Sequence, residues 1–298
     1  MDSAVALAAG DAALNVAPAI GGAVTLFTWR GKPVLRPTSP ASIAASDVRA
    51  CGCYPLVPYS NRIRDAKLRF DGRTYALAHN FGDHPNSIHG VGWQRAWTVA
   101  ARSGASVQLR LHHDGVADPG GWPWSFEARQ TFTLSADDRA CTLHVTMTIT
   151  SLADAPFPFG LGWHPFFPKP PDARLQFDAR GVWRNDATQL PLALEALSAD
   201  TDFSVERPLE GVVLDNIFVG WNGHALIERG DMTVAIDAER ACGCLVVYAP
   251  QGRDFVAVEP VSHETDAFNR AADGATDTGM RVLGPGTSFS CTMRLTAR

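Results

Sequence analysis

Several things are missing from this 298-residue sequence. No apolar run approaches the roughly 20 residues that a membrane helix needs. There is no block of lysines and arginines and no interleaving of basic with aromatic residues, and the formal charge is -5. Nucleic acid and anionic membrane surfaces are therefore not expected as partners. The segment Met1 to Gly10 is alanine-rich but has no basic residue ahead of its apolar stretch. A secretory signal is not expected there, and a cytoplasmic location is. No segment keeps helical periodicity for more than a few turns, and no repeat, low-complexity tract or linker divides the chain. His-x-His and His-Glu-x-x-His pairs are absent, as are a Gly-x-Ser-x-Gly elbow, a phosphate loop and a dinucleotide fingerprint. A metal mechanism is therefore not expected.

Cysteine is sparse, with six residues. Cys51 and Cys53 flank Gly52, and Cys242 and Cys244 flank Gly243. Structural zinc sites space paired cysteines two to four residues apart rather than one. On a strand, residues two apart share a face, so each pair reads as two small buried side chains.

Strand-type alternation is what the sequence has in quantity. In Cys141 to Thr150, the residues Cys141, Leu143, Val145, Met147 and Ile149 share one face, and His144 and four threonines share the other. That is the pattern of a half-buried antiparallel strand. Val107, Leu109 and Leu111 repeat it, and Asp71-Gly72 marks a hairpin. Further strands are expected at 24–29, 97–101, 127–134, 213–220, 225–228, 233–238, 245–249, 255–259 and 288–296. The span 172–208 is the least regular. The expected fold is all-β, a large antiparallel β-sandwich, as one domain over 1–298.

The candidate chemistry rests on a few polar residues. His164 lies in Gly162-Trp163-His164-Pro165-Phe166-Phe167-Pro168, with Pro156, Pro158, Pro170 and Pro171 around it. Proline fixes φ, so this imidazole is well held, which suits a proton donor and also suits a packed core histidine. Glu259 closes the apolar run Phe255-Val256-Ala257-Val258, ahead of Pro260. It reads as a strand-end carboxylate at the edge of the core, either a base with a raised pKa or a charge reaching solvent. The following Ser262 to Asn269 is polar and loop-like. His263 and Glu264 there read as capping or solvent-facing, with support of the site as the other reading. His89 sits among Gly90, Gly92 and Trp93, where glycines allow close backbone approach and Trp93 offers a flat face; a turn histidine beside a core tryptophan is the alternative. Arg62, after Asn61, can donate several hydrogen bonds or be an ordinary surface arginine. Asp215 breaks an apolar strand and needs donors if buried; a turn or bulge is the competing account. His112 and His113 are adjacent and face opposite sides, His79 and His84 flank a loop, and His144 and His224 read as strand surface.

Taken in order, Asn61-Arg62-Ile63, His89, His164 with Phe166 and Phe167, Asp215 and Glu259 resemble the aldose 1-epimerases, the galactose mutarotase-like proteins. The resemblance runs from about Ala19 to Leu295. It implies the large β-supersandwich of that family, with a monosaccharide in a cleft on one sheet and no cofactor. It implies that Glu259 is the base and His164 the acid, on opposite sides of the C1–O5 bond, with His164 kept protonated by the nearby carboxylate. It further implies that Arg62, His89 and Asp215 hold the sugar hydroxyls, with Asn61 and Trp93 beside them. The chain departs from the best-known galactose mutarotases in two places. They carry Gly-Gly after the histidine matched by His89, and Asn-His where this chain has Trp163-His164. These departures leave the acid and base in place and bear on the identity of the sugar.

A free aldose such as galactose or glucose is the expected substrate. A hexose-6-phosphate 1-epimerase on the same fold is the nearest alternative, with Arg30, Arg62, Arg64 and Arg95 available for phosphate. A non-catalytic sugar-binding or sensor protein is the alternative of a different class. A cupin-type metal enzyme lacks the clustered histidines it would need.

Overall fold

The computed structural model of the protein describes residues 4–118, 120–230 and 232–298. The reading of the first ten residues therefore rests partly on 1–3, outside the described residues. The described residues form two large antiparallel sheets, one of eleven strands and one of nine, with three two-stranded sheets beside them. Cys141–Ser151 behaves as its alternation requires. Cys141, Leu143, Val145, Met147 and Ile149 are buried between the sheets. On the outer face, the hydroxyls of Thr142, Thr146, Thr148 and Thr150 meet those of Thr296, Thr292, Ser290 and Ser288 on Ser288–Ala297. Cross-strand hydroxyl pairs of this kind stabilise a solvated sheet face. One core cluster takes side chains from both sheets, among them Phe27, Val247 and Val256 from the first and Phe132, Leu143 and Met293 from the second.

The eleven-stranded sheet differs because its middle strands are buried on both faces. Cys53–Leu56, Gly162–Pro168, Phe255–Val261 and Cys244–Ala249 are adjacent in that order. Trp163, Phe167, Val256, Val258 and Val247 point into the sandwich. Their neighbours Phe166, Ala257, Val261 and Val246 belong to a second apolar cluster on the opposite face, with Tyr54, Trp93 and Ile217. Period-2 alternation thus sends one set of residues to the core and the other to a covered outer face.

The turn Asp71-Gly72 joins Lys67–Phe70 to Arg73–Ala76, as expected. Other expectations need correction. The span 172–208 contains the strands Arg174–Phe177, Gly181–Asn185, Pro191–Glu195 and Arg207–Pro208. His164 lies mid-strand, and the Glu259 strand continues through Pro260 to Val261. Prolines inside central strands hid both, because proline normally marks an edge or an end. All six cysteines are buried and free. The paired ones do not share a face: Cys53 and Cys242 join the core between the sheets, and Cys51 and Cys244 the outer cluster. Only Cys53 and Cys244 of the four are on strands, so strand periodicity does not govern the pairs. Among the described residues, no helix is long and apolar enough to cross a membrane.

Candidate functional site

The ladder between the two strands that carry His164 and Glu259 has an interval in it. Gly162 pairs with Val261, and the next pair is Phe166 with Ala257. Pro165 and Pro260 lie in that interval, and neither has an N–H to give to the ladder. Carried across it, the register sets His164 opposite Glu259. Nε2 of His164 is 3.2 Å from Oε1 of Glu259, and both side chains are almost fully buried. The two groups therefore stand side by side on the sheet. This corrects the expectation that they flank a ligand from opposite sides, and the expectation that Glu259 ends its strand.

Burial drives the pair toward its uncharged form. The Glu259 carboxyl is held well above the usual carboxylate range, first by burial and then by the Asp215 charge, with Arg62 opposing. The His164 imidazole is held well below its usual value, first by burial and then by His89, Arg36 and Arg62. The expectation that the carboxylate would raise the His164 pKa is thus reversed, because desolvation penalises both charged forms. Both shifts favour carboxylic acid beside neutral imidazole over the ion pair. Tyr54 and Phe166 pack the ring at centroid distances of 4.7 and 4.3 Å.

A cavity of about 630 Å³ opens over this pair, within the ~300–1,000 Å³ common for small-molecule sites. Asn61, Arg62, His89 and Asp215 all line it. Asp215 stays in its strand, paired with Tyr248, so no bulge displaces it. Arg62 reaches Asp215 Oδ2 at 3.3 Å and donates to Asn61 Oδ1 at 3.0 Å. The Asn61 backbone N–H donates to Nδ1 of His89 at 3.0 Å. That bond places the proton of a neutral ring on Nε2. Burial, then Arg62, pushes the His89 pKa down to about 3, so the ring remains a neutral donor. Asn61 and His89 both adopt left-handed backbone, with φ of 57° and 63°. Such strain persists where surrounding structure imposes it, commonly at functional sites.

Trp93 is not in the cavity wall. It lies behind it, 4% exposed, edge-on to His89 with ring centroids 6.4 Å apart, and its Nε1–H donates to the carbonyls of Ile88 and Gly90. Gly90 and Gly92 also serve packing rather than ligand approach: a Cβ on Gly90 would meet the Val57 carbonyl oxygen at 2.4 Å. Aromatic lining comes instead from Tyr54, Phe81, Phe166, Tyr248 and Phe255. Of these, only Phe166 figures in the sequence reading of the site; Phe255 appears there only as the start of an apolar run. A period-2 reading of Phe255-Ala257-Glu259 would have found Phe255.

The segment after Glu259 is buried throughout Ser262 to Asn269, which corrects its reading as solvent-facing loop. Nε2 of His263 accepts from the Ser60 backbone N–H at 3.0 Å, and Nδ1 donates to the Glu264 carbonyl at 2.7 Å. Asp266 donates its backbone N–H to the Arg62 carbonyl at 2.9 Å. Glu264 is ion-paired to Arg270. This segment thus fixes the backbone of Ser60 to Arg62. Among the described residues, no group of three or more His, Cys, Asp or Glu is arranged to hold a metal ion.

The comparisons with known proteins agree with this architecture. The Uncharacterized protein YphB of Escherichia coli (strain K12) is 33% identical over 287 residues, covering 92% of this chain and 92% of its own. A candidate aldose 1-epimerase of known structure from Escherichia coli K12 superposes with a TM-score of 0.88 at 29% identity, over 99% of both chains. A galactose mutarotase-like protein from Clostridium acetobutylicum shares the fold, with a TM-score of 0.86 at 20% identity over 99% of this chain and 95% of its own. The family model described as Aldose 1-epimerase matches residues 3–296. With nearly its whole length matched, this chain belongs to the aldose 1-epimerase family.

Proposed function

We propose that the protein interconverts the α and β anomers of an aldopyranose. The observation that carries this reading is the contact of His164 with Glu259, 3.2 Å apart on the floor of a cavity lined with hydrogen-bonding groups, and we read the pair as sharing one proton. Anomer exchange needs one proton removed from O1 and one delivered to the ring oxygen. The C1–O5 bond then breaks, C1 becomes an aldehyde, and rotation about C1–C2 turns its other face to O5. Closure re-forms C1–O5 and returns both protons, so the cycle changes neither charge nor proton count. A pair holding one proton supplies one base and one acid at every stage. Each contributes typically ~10²–10⁴-fold.

In this reading Glu259 takes the O1 proton and His164 serves the ring oxygen. Proton transfer across their contact forms the carboxylate and imidazolium from the neutral resting pair. Arg62, which favours the ionised Glu259, and the sugar hydroxyls stabilise that state. The sugar ring lies over the pair rather than between its members. Asp215, paired to Arg62, accepts from hydroxyls, and His89 donates through Nε2. Phe166 and Tyr248 offer apolar faces to the C–H side of the ring.

The test is an anomer-exchange NMR screen over aldoses at neutral pH, with Glu259→Gln as control. Acceleration of at least one aldose, lost in the variant while binding persists, is the expected result. Binding without acceleration in the unaltered protein would overturn this reading in favour of a sugar-binding protein.

A further inference from the structure

The cavity lining contains four arginines, and two of them, Arg36 and Arg253, gather around the Phe255 ring, while the Arg49 guanidinium lies over Phe81 at 5.5 Å. Arg36 is the inner one. Its Cζ lies 3.9 Å from the Phe166 ring centre and 4.6 Å from that of Phe255. Arg253 shares the Phe255 ring, at 5.5 Å. One nitrogen of Arg36 donates to the carbonyls of Arg49 and Cys51 at 2.7 and 2.9 Å. Its Nε is buried with no partner. Neither Arg36 nor Arg253 has an ion-pair partner among the described residues, and Arg49 has only Asp47, at 3.5 Å. The carboxylate beside Arg36 and Arg253 is Asp254, while Asp47 pairs with Arg49. Asp47 also accepts the Arg49 backbone N–H, and Asp254 is exposed. Two guanidinium groups thus face one carboxylate, leaving one excess positive charge in a protein whose net charge is -5.

A partly buried cation without a counter-ion is costly, and an anion brought by a ligand would offset that cost. The location says which part of the ligand would carry it. Phe166 touches both Arg36 and His164, so a single ring links the basic end to the proposed acid. In an aldohexopyranose the exocyclic carbon is borne on C5, the atom bonded to the ring oxygen. If His164 serves that oxygen, Arg36 lies on the side of the exocyclic carbon.

We propose that the substrate is an aldose with an anionic group on its exocyclic carbon, recognised by Arg36 and Arg253. This rests on the acid–base reading above and departs from the expectation of a neutral sugar. It also replaces the arginines first considered for phosphate. Arg64 pairs with Asp266, Arg95 with Asp118, Arg30 lies on Trp29 and donates to the Asp138 carbonyl, and Arg62 serves Asp215. A phosphate ester, a sulfate ester and a carboxylate share the needed chemistry. Each offers the oxygens that a guanidinium fork binds in pairs.

The experiment compares exchange of glucose and galactose with that of their 6-phosphates, 6-sulfates and uronates, in the full chain at neutral pH. The expected result is a kcat/KM for one acidic class exceeding the neutral sugar by roughly tenfold or more. The class preferred tells phosphate, sulfate and carboxylate apart. That preference should fall several-fold in Arg253→Gln, an exposed position, and in Arg36→Lys, which keeps the charge but loses the fork. Neutral sugars exchanged as well as every acidic one, or a preference unchanged in both variants, would overturn the inference and leave the acid–base reading standing. No exchange of any of these sugars would overturn that reading and the inference together.

Discussion

His164 and Glu259 occupy opposed positions on neighbouring antiparallel strands, with Nε2 and Oε1 3.2 Å apart. Pro165 and Pro260 interrupt the ladder beside them, and both side chains point away from the core between the sheets. The sheet presents two titratable groups to a cavity side by side, and burial disfavours the charged form of each.

Replacing Glu259 with Gln should separate catalysis from stability. Exchange should fall by ~10²–10⁴-fold, since one of the two proton carriers is lost. Stability should rise by about 1–2 kcal/mol. The sign follows from the raised pKa of Glu259 in the folded protein. Its contribution to stability is present below the unfolded carboxyl pKa and is lost as pH rises toward the folded one. The difference in melting temperature between variant and parent should therefore widen as pH increases above about 4.3. A gap that narrows with rising pH would contradict the burial argument.

The rate should show a broad plateau against pH. The pair gains a second proton only below the lowered His164 pKa and loses its last only above the raised Glu259 pKa. Groups with ordinary values would hold one proton only between about 4.3 and 6.5. Exchange rates measured across this range should stay level well above pH 6.5. A decline centred there would show that the two groups titrate independently.

Asp215→Asn removes the charge facing Arg62 while keeping the shape. Hydrogen bonds to charged groups contribute about 1.5–3 kcal/mol, so KM should rise roughly 10- to 100-fold with a smaller change in kcat. The Asp215 charge also helps to raise the Glu259 pKa. The alkaline end of the pH plateau should therefore move down. Steady-state kinetics at several pH values would show both effects, and an unchanged KM would remove Asp215 from the sugar contacts.

His263→Ala leaves the Ser60 N–H and the Glu264 carbonyl without partners in a buried setting. Each orphaned group costs about 1–3 kcal/mol. Chemical denaturation should show a loss of about 2–6 kcal/mol for the two groups together, and KM should rise because the Asn61–Arg62 backbone is held through this histidine. A variant as stable as the parent would mean that the segment relaxes to satisfy both groups.

The all-β class was legible because most strands are half-buried, and half-burial writes a period of two. Cys141 to Thr150 is the clearest example. The strands that carry the site were harder to read for the same reason inverted. Gly162–Pro168 and Phe255–Val261 are buried on both faces, so their sequences do not alternate, and prolines within them mimic strand ends. Asp215, Arg62, Asn61 and His89 were singled out in the sequence, and the structure brings them to one cavity. Trp93 was misplaced because an aromatic beside glycines reads the same whether it faces a ligand or backs one. Arg36 and Arg253 carry no local signal at all.

By itself, the sequence determined the alternating strands, the scarcity of helix and the small set of polar residues able to move protons. Those properties depend on neighbours in the chain, where periodicity and side-chain chemistry operate. Tertiary structure alone decided that His164 and Glu259 would be cross-strand partners pushed toward their uncharged forms, and that Arg36 and Arg253 would share the Phe255 ring. Register between strands about 95 residues apart, and the desolvation it produces, depend on packing that no local pattern encodes.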